Sequence, residues 1–251
     1  MLLARWLTGL LFVIALPLLI VLTNVRIAAT EPRIQMLGFG AYDVAATTGV
    51  SRIELDQAAR DISRYFSDDR PALGTRVHIA GEEVALFNPR EVGHMRDVKA
   101  LMQDVFRLQE FAFAYVATYV CIAVLWSRER SLRRLARLCV IGGVLTCAVL
   151  GVAAAAMMVG FEQMFVEFHM LSFSNDLWQL DPRTDHLVQM FPIEFWFRVS
   201  MVVGILAIIE GAAIALGGAV YLVRSARPPW RARRSSEEVV HDFTSGGLPA
   251  R

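Results

Sequence analysis

Cysteine is scarce. The 251-residue chain has three, Cys121, Cys139 and Cys147, each inside a long apolar run where a thiol behaves as a small buried hydrophobe. The polar segments between those runs have none, which excludes a disulfide framework, a thiol nucleophile and a cysteine-based zinc site there. Charge of one sign is lacking too: a net charge of +1 supplies no basic footprint for nucleic acid. Local catalytic motifs are also missing. There is no HExxH pair, and no GxSxG elbow surrounds Ser172 or Ser174, so neither a zinc protease nor a serine hydrolase is written into the sequence.

What is present is apolar sequence. A hydrophobic share of 55% and a mean hydropathy of +0.46 are too high for an ordinary soluble domain, yet the charged share of 20% is too high for a chain immersed throughout. Four runs approach the roughly 20 helical residues needed to cross about 30 Å of hydrocarbon. They predict spans at residues 1–25, 111–126, 138–158 and 199–223. The first is read as a retained anchor, because it exceeds the usual h-region of a signal peptide and Arg26 stands where small residues should precede cleavage. The fold class expected is an all-α membrane protein of four transmembrane helices with a small α-rich extracytoplasmic cap.

Arginine sets the expected orientation, since positive charge near span ends stays cytoplasmic. The connection 127–137 carries Arg128, Arg130, Arg133, Arg134 and Arg137 against Glu129 alone, and the tail 224–251 opens with Arg224, Arg227, Arg231, Arg233 and Arg234. Both termini and this connection are expected inside, the tail as a disordered basic strip against anionic lipid. Residues 26–110 and 159–198 then lie outside.

In the first outer segment, residues 26–50 read as irregular. Ser51 with Glu54 gives a capping box opening a helix, "RVHIAGEEVALF" alternates around a glycine turn as a hairpin does, and Asn88-Pro89 starts a further helix. No proline interrupts that helix from Arg90 to Trp126, so it should run unbroken into the second span. His94 lies in its first turns, with Asp97 on the same face.

The second outer segment is richer in polar chemistry than a connecting loop requires. "HMLSFSNDLWQLDPRTDHLVQMFP" carries His169, Asn175, Asp176, Trp178, Asp181 and His186. Histidine titrates near neutrality, so His94 and His169 together suit proton transfer. The same residues admit other readings. His94, Asp97, His169 and Asp176 offer nitrogen and oxygen ligands for a metal-dependent hydrolase, or the histidines serve structure in a non-catalytic binding protein. His78, His186 and His241 are assigned to structure.

At "HMRDVK", "FHMLSFSNDLWQLDP" and "MFP" the chain resembles the lipoprotein intramolecular transacylase (Lit) family of four-span bacterial membrane proteins. The resemblance covers nearly the whole layout. It implies an acyltransferase that moves an acyl chain from the sn-2 ester of a lipoprotein's diacylglyceryl-cysteine to the α-amine of that cysteine, at the outer surface of the cytoplasmic membrane. It implies catalysis by His94 and His169; within that pair we expect His94 as the leading base and His169 as its partner, acid or oxyanion donor. Arg96, Asp97, Asn175, Asp176, Trp178 and Asp181 are expected to orient the pair or bind substrate. The expected partners are diacylated lipoprotein and membrane lipid; no cofactor, metal or nucleic acid is expected.

Overall fold

A computed structural model describes residues 2–125 and 129–226. The tail beyond residue 226, with His241, and the start of the basic connection lie outside the described residues.

Four long helices dominate: α1 (Leu2–Thr30), α5 (Pro89–Leu125), α6 (Glu129–Ser172) and α8 (Ile193–Ser225). All four are long and apolar enough to cross a membrane. At about 1.5 Å per residue they measure roughly 44 to 66 Å, well beyond a hydrocarbon core of about 30 Å, so each carries helix past its span. Between α1 and α5 come α2 (Pro32–Ala41), α3 (Val44–Thr48), α4 (Arg52–Tyr65) and a hairpin of β1 (Arg76–Ile79) and β2 (Glu82–Ala85); α7 (His186–Met190) precedes α8.

Within the bundle α1 is central. Phe12, Ala15, Leu16 and Ile20 form a core with Val116 of α5 and Ala207 of α8, and Leu16 lies against Gly142 of α6. The α6–α8 seam is closer still. A Cβ at Gly143 would stand 2.3 Å from the Gly211 carbonyl oxygen, and one at Gly218 would stand 2.7 Å from that of Ala136. Small residues let membrane helices approach to backbone contact, where dispersion and interhelical hydrogen bonds replace the absent hydrophobic drive. One such bond crosses from α1 to α8, Asn24 Nδ2 donating to Glu210 Oε2 at 2.8 Å.

The cap has its own core, in which Phe39, Leu55, Ile62 and Leu86 meet Met190 and Phe195 from the far end of the chain. Residues 26–50 are mostly helical, in the end of α1, α2 and α3, contrary to the irregular reading. The α1 helix runs through Arg26, whose guanidinium binds Glu110 at 2.8 Å. Pro32 then opens α2, with Glu31 accepting from Arg33 N. Gly38 and Gly40 make this stretch look like loop in sequence. In the fold Gly38 admits the Phe195 ring, which a Cβ would meet at 2.6 Å, so tertiary packing outweighs glycine's low helix propensity. The Ser51 cap of α4 is present, its hydroxyl accepting from Glu54 N. The hairpin turns through Ala80 and Gly81, both at positive φ, the geometry of a two-residue turn that matches strand twist.

The helix α5 is continuous from the cap into the bundle. Conversely, α6 breaks its regular path at Gly160 (φ −161°, ψ 60°). The portion beyond that kink carries His169 back towards the cap.

Candidate functional site

The site lies where the first turns of α5 meet the end of α6 and the segment 173–192. Asn88 caps α5, its Oδ1 accepting from Arg90 N at 2.9 Å and Glu91 N at 3.0 Å, while the Glu91 carboxylate returns to Asn88 N at 2.7 Å. This reciprocal cap fixes the helix start one turn before His94. The His94 and His169 rings approach to 5.9 Å between centroids. Both are buried, 7% and 8% exposed.

Aromatic rings enclose the pair. Phe173 stands edge-on to His94 at 5.2 Å; Phe165 and Trp178 lie 4.3 Å and 5.2 Å from His169. Around them Phe168 and Leu171 are exposed.

Two hydrogen-bond observations distinguish the histidines. His169 Nδ1 is 2.7 Å from the Phe165 carbonyl. A carbonyl only accepts, so Nδ1 carries the proton and Nε2 of the neutral ring keeps its lone pair. His94 Nδ1 is buried and has no hydrogen-bond partner among the described residues, an arrangement that costs stability and calls for a functional account. Burial pushes the His94 pKa down to about 4, reinforced by the neighbouring His169 and opposed by Asp97. Burial likewise lowers the His169 pKa, partly offset by the Phe165 carbonyl. Both rings are therefore neutral at pH 7, one with a defined acceptor nitrogen.

One face of α5 receives the loop. Asp97 Oδ2 accepts from Asn175 Nδ2 at 2.9 Å, and Asn175 Oδ1 accepts from Leu177 N at 3.0 Å, an Asx turn. Leu177 packs onto Gly93, where a Cβ would lie 2.9 Å from its Cδ1. Arg90 donates to the Asp176 carbonyl. Positions 90, 93 and 97 thus form a single docking stripe beside His94, as helical spacing requires.

Of the residues singled out from sequence, His94, Asp97, His169, Asn175 and Trp178 come together. The Asp176 carboxylate instead accepts from Gln179 at 3.2 Å, and its backbone does the docking. Asp181 pairs with Arg183 at 2.7 Å, which holds its carboxyl down to about 2; it shapes a turn. Arg96 donates to the Pro71 carbonyl at 3.3 Å and fastens the cap. His186 Nδ1 lies 2.7 Å from the Leu86 carbonyl, and His78 pairs with Glu54 at 3.0 Å, both structural contacts. Among the described residues no three of His, Cys, Asp and Glu are grouped to hold a metal.

Sequence reasoning passed over Phe165 and Phe173 as partners of particular rings, and over Glu91 and Asp185, both buried. Glu91 had a local signal, the Asn88-x-x-Glu91 spacing of a capping box. Asp185 had none.

The family model for lipoprotein intramolecular transacylase Lit matches residues 10–196. An uncharacterized protein of Aquifex aeolicus (strain VF5) is 25% identical over 132 residues, 53% of this chain and 56% of that protein, so the match spans about half the length of that relative. The solved structure of the membrane integral lipoprotein intramolecular transacylase Lit from Bacillus cereus superposes with a TM-score of 0.67 at 19% identity, over 87% of this chain and 95% of that one. A form of the same protein with one histidine replaced by alanine gives the same score at 18% identity, over 87% and 93%. At these identities the likeness shows the shared four-helix membrane fold.

Proposed function

The chain belongs to the lipoprotein intramolecular transacylase family, a family of acyltransferases, and on that premise we propose that it moves an acyl chain within a diacylated lipoprotein by proton transfer at His94 and His169. The acyl group leaves the sn-2 ester of the diacylglyceryl group for the α-amine of the same cysteine. One observation carries the reading: two buried, neutral histidines from different helices, 5.9 Å apart, beside a membrane-spanning bundle.

The chemistry needs a base and an acid at one place. An α-amine with pKa of about 7.7 to 8.0 must be unprotonated to attack an ester carbonyl. The N–C bond forms, the ester C–O bond breaks, one proton leaves nitrogen and one arrives on the glyceryl oxygen. His169 Nε2, its lone pair held free by the Nδ1 bond to Phe165, takes the proton from nitrogen and returns it to the departing oxygen. This allocation reverses the sequence expectation of His94 as leading base. His94, neutral and with an uncommitted ring nitrogen, donates its N–H to the carbonyl oxygen as charge develops there. Since donor and acceptor belong to one substrate, holding them in attack geometry removes much of the entropic barrier.

The histidines belong on the extracytoplasmic side in this reading, with the spans near residues 1–25, 111–126, 138–158 and 199–223. Support comes from the basic connection: Arg133 donates to the Ser225 carbonyl and Arg134 to that of Arg5, gathering the arginine-rich ends at the pole remote from the cap. Positive charge favours the cytoplasm for that pole.

The test is tandem mass spectrometry of the N-terminal lipopeptide from a strain that makes diacylated lipoprotein, expressing wild type, His94→Ala or His169→Ala. Wild type should leave intact mass unchanged and place one acyl group on nitrogen; each variant should lose at least a hundredfold of that product, the scale of a missing acid–base group. A mass gain of one acyl chain would mean intermolecular transfer, and a free amine with well-expressed wild type would overturn the assignment.

A further inference from the structure

Glu91 is the most deeply buried acidic side chain among the described residues, 1% exposed, and proton transfer does not use it. Both of its oxygens are engaged. Oε2 accepts the N–H of Asn88 at 2.7 Å, closing the start of α5. Oε1 accepts the N–H of Leu187 at 2.6 Å, in the first turn of α7. Beside it Asp185, 8% exposed, accepts from Asn88 Nδ2 at 2.9 Å and from Asp181 N at 2.8 Å. The groups facing Glu91 are therefore Asn88 from the α5 start and Asp185, His186 and Leu187 from the loop.

A buried carboxylate is costly to the fold, and burial raises the Glu91 pKa. An apolar side chain in its place would leave the N–H groups of Asn88 and Leu187 without their acceptor. What the carboxylate supplies is geometric: two oxygens that accept from two backbone N–H groups belonging to segments far apart in sequence. Glutamine has a single oxygen, and its amide would set an N–H against an N–H.

The placement relative to His94 is the decisive observation. Glu91 precedes it by three residues and Asp97 follows it by three, and each receives the 173–192 segment: Glu91 at Leu187, Asp97 at Asn175. His94 is held between two anchors of the loop that follows His169. We propose that Glu91 is a positioning residue for the transacylation, clamping this segment onto α5 so that the separation of His94 and His169 and their exclusion of water are both maintained. The inference rests on the histidine reading.

The experiment uses full-length protein in lipid vesicles with a synthetic diacylated lipopeptide, comparing wild type, Glu91→Gln and Lys99→Met. Lys99 leaves α5 in another direction, binding Asp68 at 3.2 Å and the Arg70 carbonyl at 2.7 Å, so its loss weakens the cap without touching the clamp. Glu91→Gln should lower kcat at least tenfold with KM within about twofold. It should shift the acid limb of the pH–rate profile upward as the histidines gain water, and speed amide hydrogen exchange across residues 175–187. Lys99→Met should lower melting temperature while leaving limb and exchange in place. Faster exchange with unchanged kcat and limb overturns the positioning role, and unchanged exchange overturns the clamp whatever the activity. Full activity in His94→Ala and His169→Ala fells the histidine reading instead, since exchange is read independently of turnover. If Glu91→Gln does not fold, Asn88→Ser, which keeps a capping oxygen for α5 and loses the Nδ2 donor to Asp185, is judged by the same measurements.

Discussion

Protonating His94 or His169 works against the fold that buries them. Each ring has a lower pKa in the folded chain than the ordinary value of about 6.5, His94 at about 4. Between those values the unfolded chain binds more protons than the folded one, so stability is full above pH 6.5 and declines as pH falls towards 4. Melting temperature in detergent should fall across that window in wild type and fall less steeply in His94→Leu; equal slopes would mean that His94 is not buried as described. The approach of the two rings was legible in the sequence, because two histidines with nearby carboxylates on separate polar segments exceed what turns need. The division of labour proposed for them was not legible, since it depends on the His169 Nδ1 contact with Phe165, a matter of rotamer rather than of composition. Carboxylates were the least legible. Asp97, Asp176 and Asp181 look alike in sequence, yet one anchors the loop, one meets α5 through its backbone while its carboxylate takes Gln179, and one pairs with Arg183.

Helices are held at the distances their smallest residues permit. Gly143 faces the Gly211 carbonyl and Ala215, so Gly143→Leu would drive α6 and α8 apart along the seam. Gly217, whose Cβ would meet nothing within 4 Å, is the matched control. Size-exclusion profiles and melting curves should show Gly143→Leu aggregated or melting several degrees lower, with Gly217→Leu close to wild type; overpacking of about 1–3 kcal/mol is the basis. At this scale the apolar runs, the Ser51 cap and the unbroken α5 could be read from periodicity and capping residues. The helices α2 and α3 could not, because Gly38 and Gly40 mimic loop chemistry until the Phe195 ring, from a distant part of the chain, supplies the reason for Gly38.

Across the whole molecule, each side of the site comes from a different half of the chain. The first half brings α1, most of the cap and α5 with His94; the second brings α6 with His169, the clamped loop and α8. Even the cap core is shared, since Leu187, Met190 and Phe195 complete it. Four spans and their arginine bias were open to sequence reading; this division was not, because the bond from Glu91 to Leu187 has no local spacing to announce it. Fragments 1–127 and 128–251, expressed together, should restore N-acyl product, while neither alone forms any. Product from a single fragment would show that the site is not divided.

The division has a consequence for the order of synthesis. His94 leaves the ribosome some 75 residues ahead of His169, and at that moment neither its partner histidine nor Phe173, which stands edge-on to its ring, has been made. In the proposed reading the pair cannot act until α6 and the segment after it have been made, so synthesis of the second half of the chain is itself the step that switches the site on.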